Sequence, residues 1–127
     1  MKLHAWMLVA LGGAAGSLAR YGIMRSWPML PGGLPLSTML INVAGSLLIG
    51  CCSVLFDPRV GPASDGARLF WMTGVLGGFT TYSTFALEAV LLADGGQALK
   101  SASYAVLTVV GCIAAAWLGR TMTSQWL

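Results

Sequence analysis

The sequence predicts an all-α membrane protein of four transmembrane helices, and three observations carry that prediction. Of 127 residues, 57% are hydrophobic and only 9% are charged, whereas an ordinary soluble domain carries about a quarter charged residues. The mean hydropathy is +0.78. Seven Lys/Arg and four Asp/Glu cannot cover the surface of so small a domain in water, so its solvent is lipid. Four spans of about 20 residues use about 80 positions. That leaves short connections and no room for a second domain, so residues 1–127 read as a single four-helix transmembrane domain.

The first span covers residues 5–24, which are apolar and rich in small side chains, with Arg20 near the end. Lys2 and the short apolar stretch after it also resemble a secretory signal, but the apolar run continues too far and no cleavage pattern follows. Pro28, Pro31, Gly32, Gly33 and Pro35 form a cluster of breakers and predict a turn outside the hydrocarbon. Residues 36–56 hold no charge. At a rise of about 1.5 Å per residue, that length matches a hydrocarbon core of about 30 Å. Asn42 is its polar exception, with Ser37 and Thr38 about a turn before it and Ser46 a turn after. From Asp57 to Arg68 the chain mixes Asp, Arg, Pro and Gly and reads as a loop.

Residues 69–93 form a third span, longer than a straight crossing needs. Its middle reads Gly77, Gly78, Phe79, Thr80, Thr81, Tyr82, Ser83, Thr84 and Phe85. Adjacent glycines and β-branched threonines lower helix propensity, so the third helix is expected to be broken at the bilayer midplane. Unwound backbone at that depth is tolerated where its N–H and C=O groups are buried in protein, meet an ion or line a wet path. Asp94, Gly95, Gly96 and Gln97 turn the chain into the fourth span, residues 101–119. There Tyr104, Thr108 and Cys112 recur every four residues and share one helix face.

Four spans put both termini on one side, together with Lys2, Arg59, Arg68 and Arg120, and leave Arg25 and Lys100 on the other, with Arg20 near them. So slight a Lys/Arg bias sets only a weak orientation and predicts insertion both ways. Four thin helices also cannot enclose a polar path. An antiparallel, dual-topology homodimer with its twofold axis in the membrane plane answers both points. Gly12/Gly16 and Gly74/Gly78 are GxxxG pairs, and Gly111, Ala115 and Gly119 form a small-residue ridge. They allow close backbone approach, either across the dimer or within one subunit.

The net charge is +3, but its basic residues are scattered singly and form no stripe, so no nucleic-acid partner is expected. Cys51, Cys52 and Cys112 sit in apolar runs without metal-ligand spacing and read as small apolar residues. No catalytic constellation can be assembled, because His4 is at the N-terminus and Glu88 is the only acid within a span. The chain is therefore not expected to be an enzyme. Glu88 either snorkels, pairs with an arginine or couples protons. The last option would make the chain a small proton-coupled multidrug antiporter, although its first helix offers Arg20 and no acid. Asn42, Tyr82, Ser83, Thr84, Tyr104 and Thr108 supply neutral donors with no central carboxylate. That inventory suits an anion. Amides, hydroxyls and the positive edge of a ring such as Phe85 replace its hydration without a fixed charge to trap it.

Three motifs add a resemblance. Gly12, Gly13, Gly16, Arg20 and Tyr21 follow a GGxxGxxxRY spacing, and Ser37 to Ile41 followed by Asn42, Val43 and Gly45 is close to GTLxVNxxG. Gly77 through Phe85 follows GGxTTFSTF almost residue for residue. On these motifs the chain resembles, along its whole length, the Fluc/CrcB fluoride channels of microbial membranes. The resemblance implies a fluoride-selective passive channel built as an antiparallel dimer with two pathways. It also implies a structural sodium ion (Na+), not transported, held at the dimer centre by the backbone carbonyls of Gly77 and Thr80. The implied fluoride route is lined by Thr38, Asn42, Tyr82, Ser83, Thr84 and Phe85, with Tyr104, Thr108 and Cys112 as a polar track on the fourth helix. Arg20 either attracts fluoride at a vestibule or anchors a helix. Tyr82 stands where the family usually has Phe, and Cys112 where a hydroxyl is expected, a thiol being the weaker donor. Ser37-Thr38-Met39 replaces Gly-Thr-Leu. The implied role is relief of fluoride toxicity at the bacterial plasma (inner) membrane. Trapped cytoplasmic fluoride leaves down an inside-negative potential of about 2.3 kcal/mol per charge per 100 mV.

Overall fold

Long apolar runs broken by glycine, proline and charge order the chain into helices, and the computed structural model describes residues 2–27, 33–59 and 65–126. Helix α1 spans Lys2–Ser26, α2 Leu36–Leu55 and α6 Ala98–Ser124. The third run is composite. It passes from α3 (Asp65–Arg68) through a π-helical segment (Leu69–Leu76) into α4 (Gly77–Phe79), and resumes after two extended residues as α5 (Tyr82–Asp94). Leu3–Ser26, Leu36–Leu55, Asp65–Asp94 and Ala98–Ser124 are each long and apolar enough to cross a membrane. No strand occurs among the described residues.

Several boundaries differ from the sequence expectation. α1 and α6 run past residues 5–24 and 101–119 at both ends, because helical hydrogen bonding continues where a span leaves the apolar layer. α2 stops at Leu55, with Phe56 as its C-cap. The loop expected from Asp57 to Arg68 ends early, since Asp65–Arg68 is already helical. Charge there marks a helix entering the membrane, with Asp65 in the first turn where the helix dipole favours it. Of the first breaker cluster, Pro28, Pro31 and Gly32 lie outside the described residues, and Pro35 is the buried N-cap position of α2. At the end of α5, Gly96 takes φ +74°. Its N–H donates to the Ala93 carbonyl and that of Gln97 to the Leu92 carbonyl, each at 3.0 Å. This is a Schellman closure, with glycine at its left-handed position.

The π segment is the feature that composition does not announce. It lies along α1 at backbone contact. A Cβ on Gly12 would stand 2.5 Å from the Phe70 carbonyl oxygen, and one on Gly16 would overlap the Val75 carbonyl. Both GxxxG pairs, Gly12/Gly16 and Gly74/Gly78, are therefore spent within the subunit, as are Gly50 against Ala116 and Gly119 against Leu47 where α2 packs on α6. The extended pair Thr80–Thr81 changes the partner of the third run. Before it, the π segment and α4 pack on α1, and after it α5 packs on α6. Phe85, Leu92 and Tyr104 form the buried cluster at that second contact.

Candidate anion pathway

Every backbone group released by the extended pair needs a partner in lipid. Thr80 has φ −77° and ψ 156°, and Thr81 has φ −147° and ψ 107°. In a continuous helix the Thr81 N–H would donate to the Gly77 carbonyl. It donates instead to Asn42 Oδ1 at 2.8 Å, while Asn42 Nδ2 donates to the Thr81 carbonyl at 3.0 Å. The Thr84 N–H, whose helical acceptor would be the Thr80 carbonyl, donates to Thr81 Oγ1 at 3.3 Å. Thr81 thus N-caps α5, and its hydroxyl donates to Thr84 Oγ1 at 2.9 Å. Gly77 and Thr80 consequently keep carbonyl oxygens that side chains have deprived of their helical donors. No group of three or more His, Cys, Asp or Glu that would hold a metal exists among the described residues. Neutral backbone oxygens are the donors this region offers a hard cation.

Beside the extended pair is a cavity of about 390 Å³ whose wall includes Asn42, Thr80, Tyr82, Phe85, Thr108 and Cys112. Apolar neighbours such as Ile49, Leu76 and Ile113 complete it. An aromatic row runs inward from its open side. Tyr82 is 77% exposed, its ring centroid lies 5.6 Å from that of Phe85, and Phe85 lies 5.3 Å from Tyr104, which is fully buried. At the inner end Tyr104 donates its hydroxyl to Glu88 Oε2 at 2.7 Å, and Thr38 donates to Glu88 Oε1 at 2.9 Å. The carboxylate is therefore held by two buried hydroxyls, in place of the snorkelling or the arginine partner that the sequence left open. Thr108 is only 3% exposed, and its hydroxyl has no hydrogen-bond partner among the described residues. A buried polar group without a partner is costly. Thr108 lines the cavity, while its hydroxyl oxygen is itself shielded from it.

Residues 7–120 match the family described as CrcB-like protein, Camphor Resistance (CrcB). The chain belongs to the CrcB-like family. It is 40% identical over 97% of its length to the Fluoride-specific ion channel FluC of Hyphomonas neptunium, covering 98% of that relative. It is 45% identical to the protein of the same name from Methylobacterium sp., over 89% of this chain and 87% of the relative. With the Anaeromyxobacter dehalogenans protein of that name it shares 42% identity over 95% of each chain.

In this CrcB-like chain the residues singled out from the sequence fall into separate groups. Asn42, Gly77, Thr80, Tyr82, Phe85, Thr108 and Cys112 meet at the cavity. Thr38 and Tyr104 meet at Glu88 behind Phe85. Ser83 is exposed and Thr84 is bonded to Thr81, and neither lines the cavity. Arg20 on α1 lies off the cavity wall, with a buried Nε that has no hydrogen-bond partner among the described residues. Sequence reasoning missed Thr81 and Glu88 as positioning residues. The Thr81-x-x-Thr84 spacing at a helix start was the available signal for the first. For Glu88 no local signal exists, because both of its partners come from other helices.

Proposed function

We propose that this CrcB-like chain forms a passive, fluoride-selective channel that exports cytoplasmic fluoride and so reduces its toxicity. The observation that carries the reading is a cavity whose wall brings Asn42, Thr80 and Thr108 together with the rings of Tyr82 and Phe85 and, among the described residues, holds no charged side chain. Neutral side-chain donors replace the waters of a small anion and still release it. The relatives named fluoride-specific ion channels support fluoride as that anion. Their bacterial sources support the inner membrane as its location. The antiporter alternative is disfavoured, since both Glu88 oxygens are engaged by hydroxyls and the relatives are named as channels.

The working unit in this reading is an antiparallel, dual-topology homodimer. The weak Lys/Arg bias supports it, as does the ring of Tyr82, which a single chain leaves exposed at the cavity's open side. The third helix is then interrupted at the midplane, and the Gly77 and Thr80 carbonyls of both copies would hold a structural sodium ion. When bound, that ion supplies a fixed positive charge that ties the interrupted backbones together. Asn42 and Thr81 present those carbonyls by taking the N–H groups that would otherwise occupy them.

Anion efflux from proteoliposomes tests the function, with fluoride and chloride electrodes read in parallel after a potassium ionophore is added. Fast fluoride release with negligible chloride release is expected, and its loss on replacing sodium with a large organic cation supports the carbonyl site. No fluoride release from folded protein overturns the reading.

A further inference from the structure

We propose that Met72 is a partition in the anion pathway, separating the midplane cavity from a second cavity, lined by Arg59 and Arg68, that serves as the pathway's mouth. The inference rests on the channel reading and adds to it an end of the route and the side chain that governs passage there.

A route for an ion must end in water. The cavity beside Thr80 lies at the interruption of the third run, and its open side, at Tyr82, faces lipid or a partner subunit in that reading. Helix α2 continues its wall in one direction. Asn42, Gly45, Ser46 and Ile49 line the midplane cavity, and Ser53 and Phe56, next along the same helical stripe, line a second cavity of about 430 Å³. From Asn42 to Ser53 the helix rises about 16 Å, half of a hydrocarbon core of about 30 Å. The second cavity therefore lies where the membrane meets water. Met72 is the one described residue that lines both cavities.

Charge at the second cavity suits the entry of an anion. Arg59 and Arg68, both exposed, line it, and Arg120 reaches it from α6 by donating from Nη1 to Ser53 Oγ at 3.3 Å. These three arginines outnumber the nearby carboxylates, Asp57 in the same wall and Asp65 beside Arg68 in a neighbouring cavity. Asp57 also spends its Oδ1 on the Arg59 backbone N–H, at 2.9 Å. An excess of one sign at a cleft raises the local concentration of the opposite ion. Beyond Met72 the cavity wall carries no charge among the described residues, so an anion gathered at the mouth meets nothing there that traps it.

Met72 suits the place of a partition. It belongs to the π-helical segment, where its carbonyl accepts from the Gly77 N–H, and π turns are frequent at functional sites. Its half-buried side chain is unbranched with three rotatable bonds, so it fills the space between the cavities and moves aside without the backbone. A thioether offers an anion no donor. The passage at Met72 is thus a short apolar constriction between a cationic mouth and a neutral polar interior, the kind of constriction that gates by dewetting.

The test records single-channel fluoride currents of the full chain in planar bilayers, with Tm in detergent as the check of folding. Met72→Ala is expected to conduct more than the wild type, Met72→Leu, of similar volume, to match it, and Met72→Trp to carry no current. Arg59→Gln/Arg68→Gln reverses the local sign of charge. Its conductance is expected to fall about tenfold at low ionic strength and to approach the wild type at high salt, a convergence that a merely structural role would not produce. A folded Met72→Ala variant that conducts no more than the wild type overturns the partition, and decides alone if Met72→Trp does not fold. An arginine variant whose conductance is unchanged, or is lowered equally at every ionic strength, overturns the mouth. A wild type without fluoride current overturns the channel reading and this inference with it, whereas a conducting wild type with unresponsive variants overturns the inference alone.

Discussion

Asn42 holds the Thr81 peptide from both sides, its Oδ1 accepting the N–H at 2.8 Å and its Nδ2 donating to the carbonyl at 3.0 Å. The side-chain amide acts here as a neighbouring peptide would in a sheet, so two extended residues sit inside a helical membrane protein with the Thr81 backbone satisfied. Asn42→Ala orphans both groups, at about 1–3 kcal/mol each. The expected outcome is a clearly lower Tm in detergent, together with lost fluoride efflux. Asn42→Asp keeps the acceptor and sets a carboxylate against a carbonyl, so it is not expected to recover either. A wild-type Tm for Asn42→Ala would show that the interruption does not depend on this pair.

Thr81 also caps α5 through its hydroxyl. Thr81→Val keeps the shape and removes the cap, costing about 0.5–2 kcal/mol, while Thr81→Ser retains it. Thermal unfolding of the two variants should separate them by that margin.

Neighbouring glycines on α1 should differ sharply. A Cβ at Gly16 overlaps the Val75 carbonyl, whereas one at Gly13 meets nothing within 4 Å. Gly16→Ala must push α1 away from the π segment and is expected to destabilise by about 1–3 kcal/mol. Gly13→Ala is expected to match the wild type in Tm and yield.

Tyr104 and Thr38 serve one carboxylate, so their removal should be coupled. Tyr104→Phe deletes one donor to Glu88 at a cost of about 1.5–3 kcal/mol, with Thr38→Val costing a similar amount. In the double variant the carboxylate loses both donors, and the loss of stability should exceed the sum of the single losses. Strict additivity of the unfolding free energies would refute shared support of Glu88.

Thr108 separates function from stability. Its hydroxyl makes no hydrogen bond among the described residues, so Thr108→Val removes a buried polar group without breaking one and should leave Tm unchanged or higher. Fluoride efflux should nevertheless fall. A variant with undiminished efflux would remove Thr108 from the pathway.

The spans and the site were legible in the sequence to different depths. Leu36–Leu55 is bounded almost where its composition says, because the hydrophobicity of twenty successive side chains against lipid is a local sum. Tyr104, Thr108 and Cys112 share a face by helical period alone, and the poor helix propensity from Gly77 to Thr81 is equally local. The charged turn Asp65–Arg68 misled, since charge marks a loop and a helix entry alike.

The sequence by itself determined that four segments are apolar enough to cross a membrane, that the third is weak near Thr80, and which neutral donors were on hand. Only the tertiary structure decided what each of these meets. Asn42 satisfies Thr81 from 39 positions away, Glu88 finds Thr38 and Tyr104 on two other helices, and the glycine pairs face partners within the subunit. The physical reason is that propensity and hydropathy are sums over neighbours in the chain. A hydrogen bond across helices depends on how packed backbones bring distant residues within 3 Å, and a residue's position in the chain carries no record of that distance.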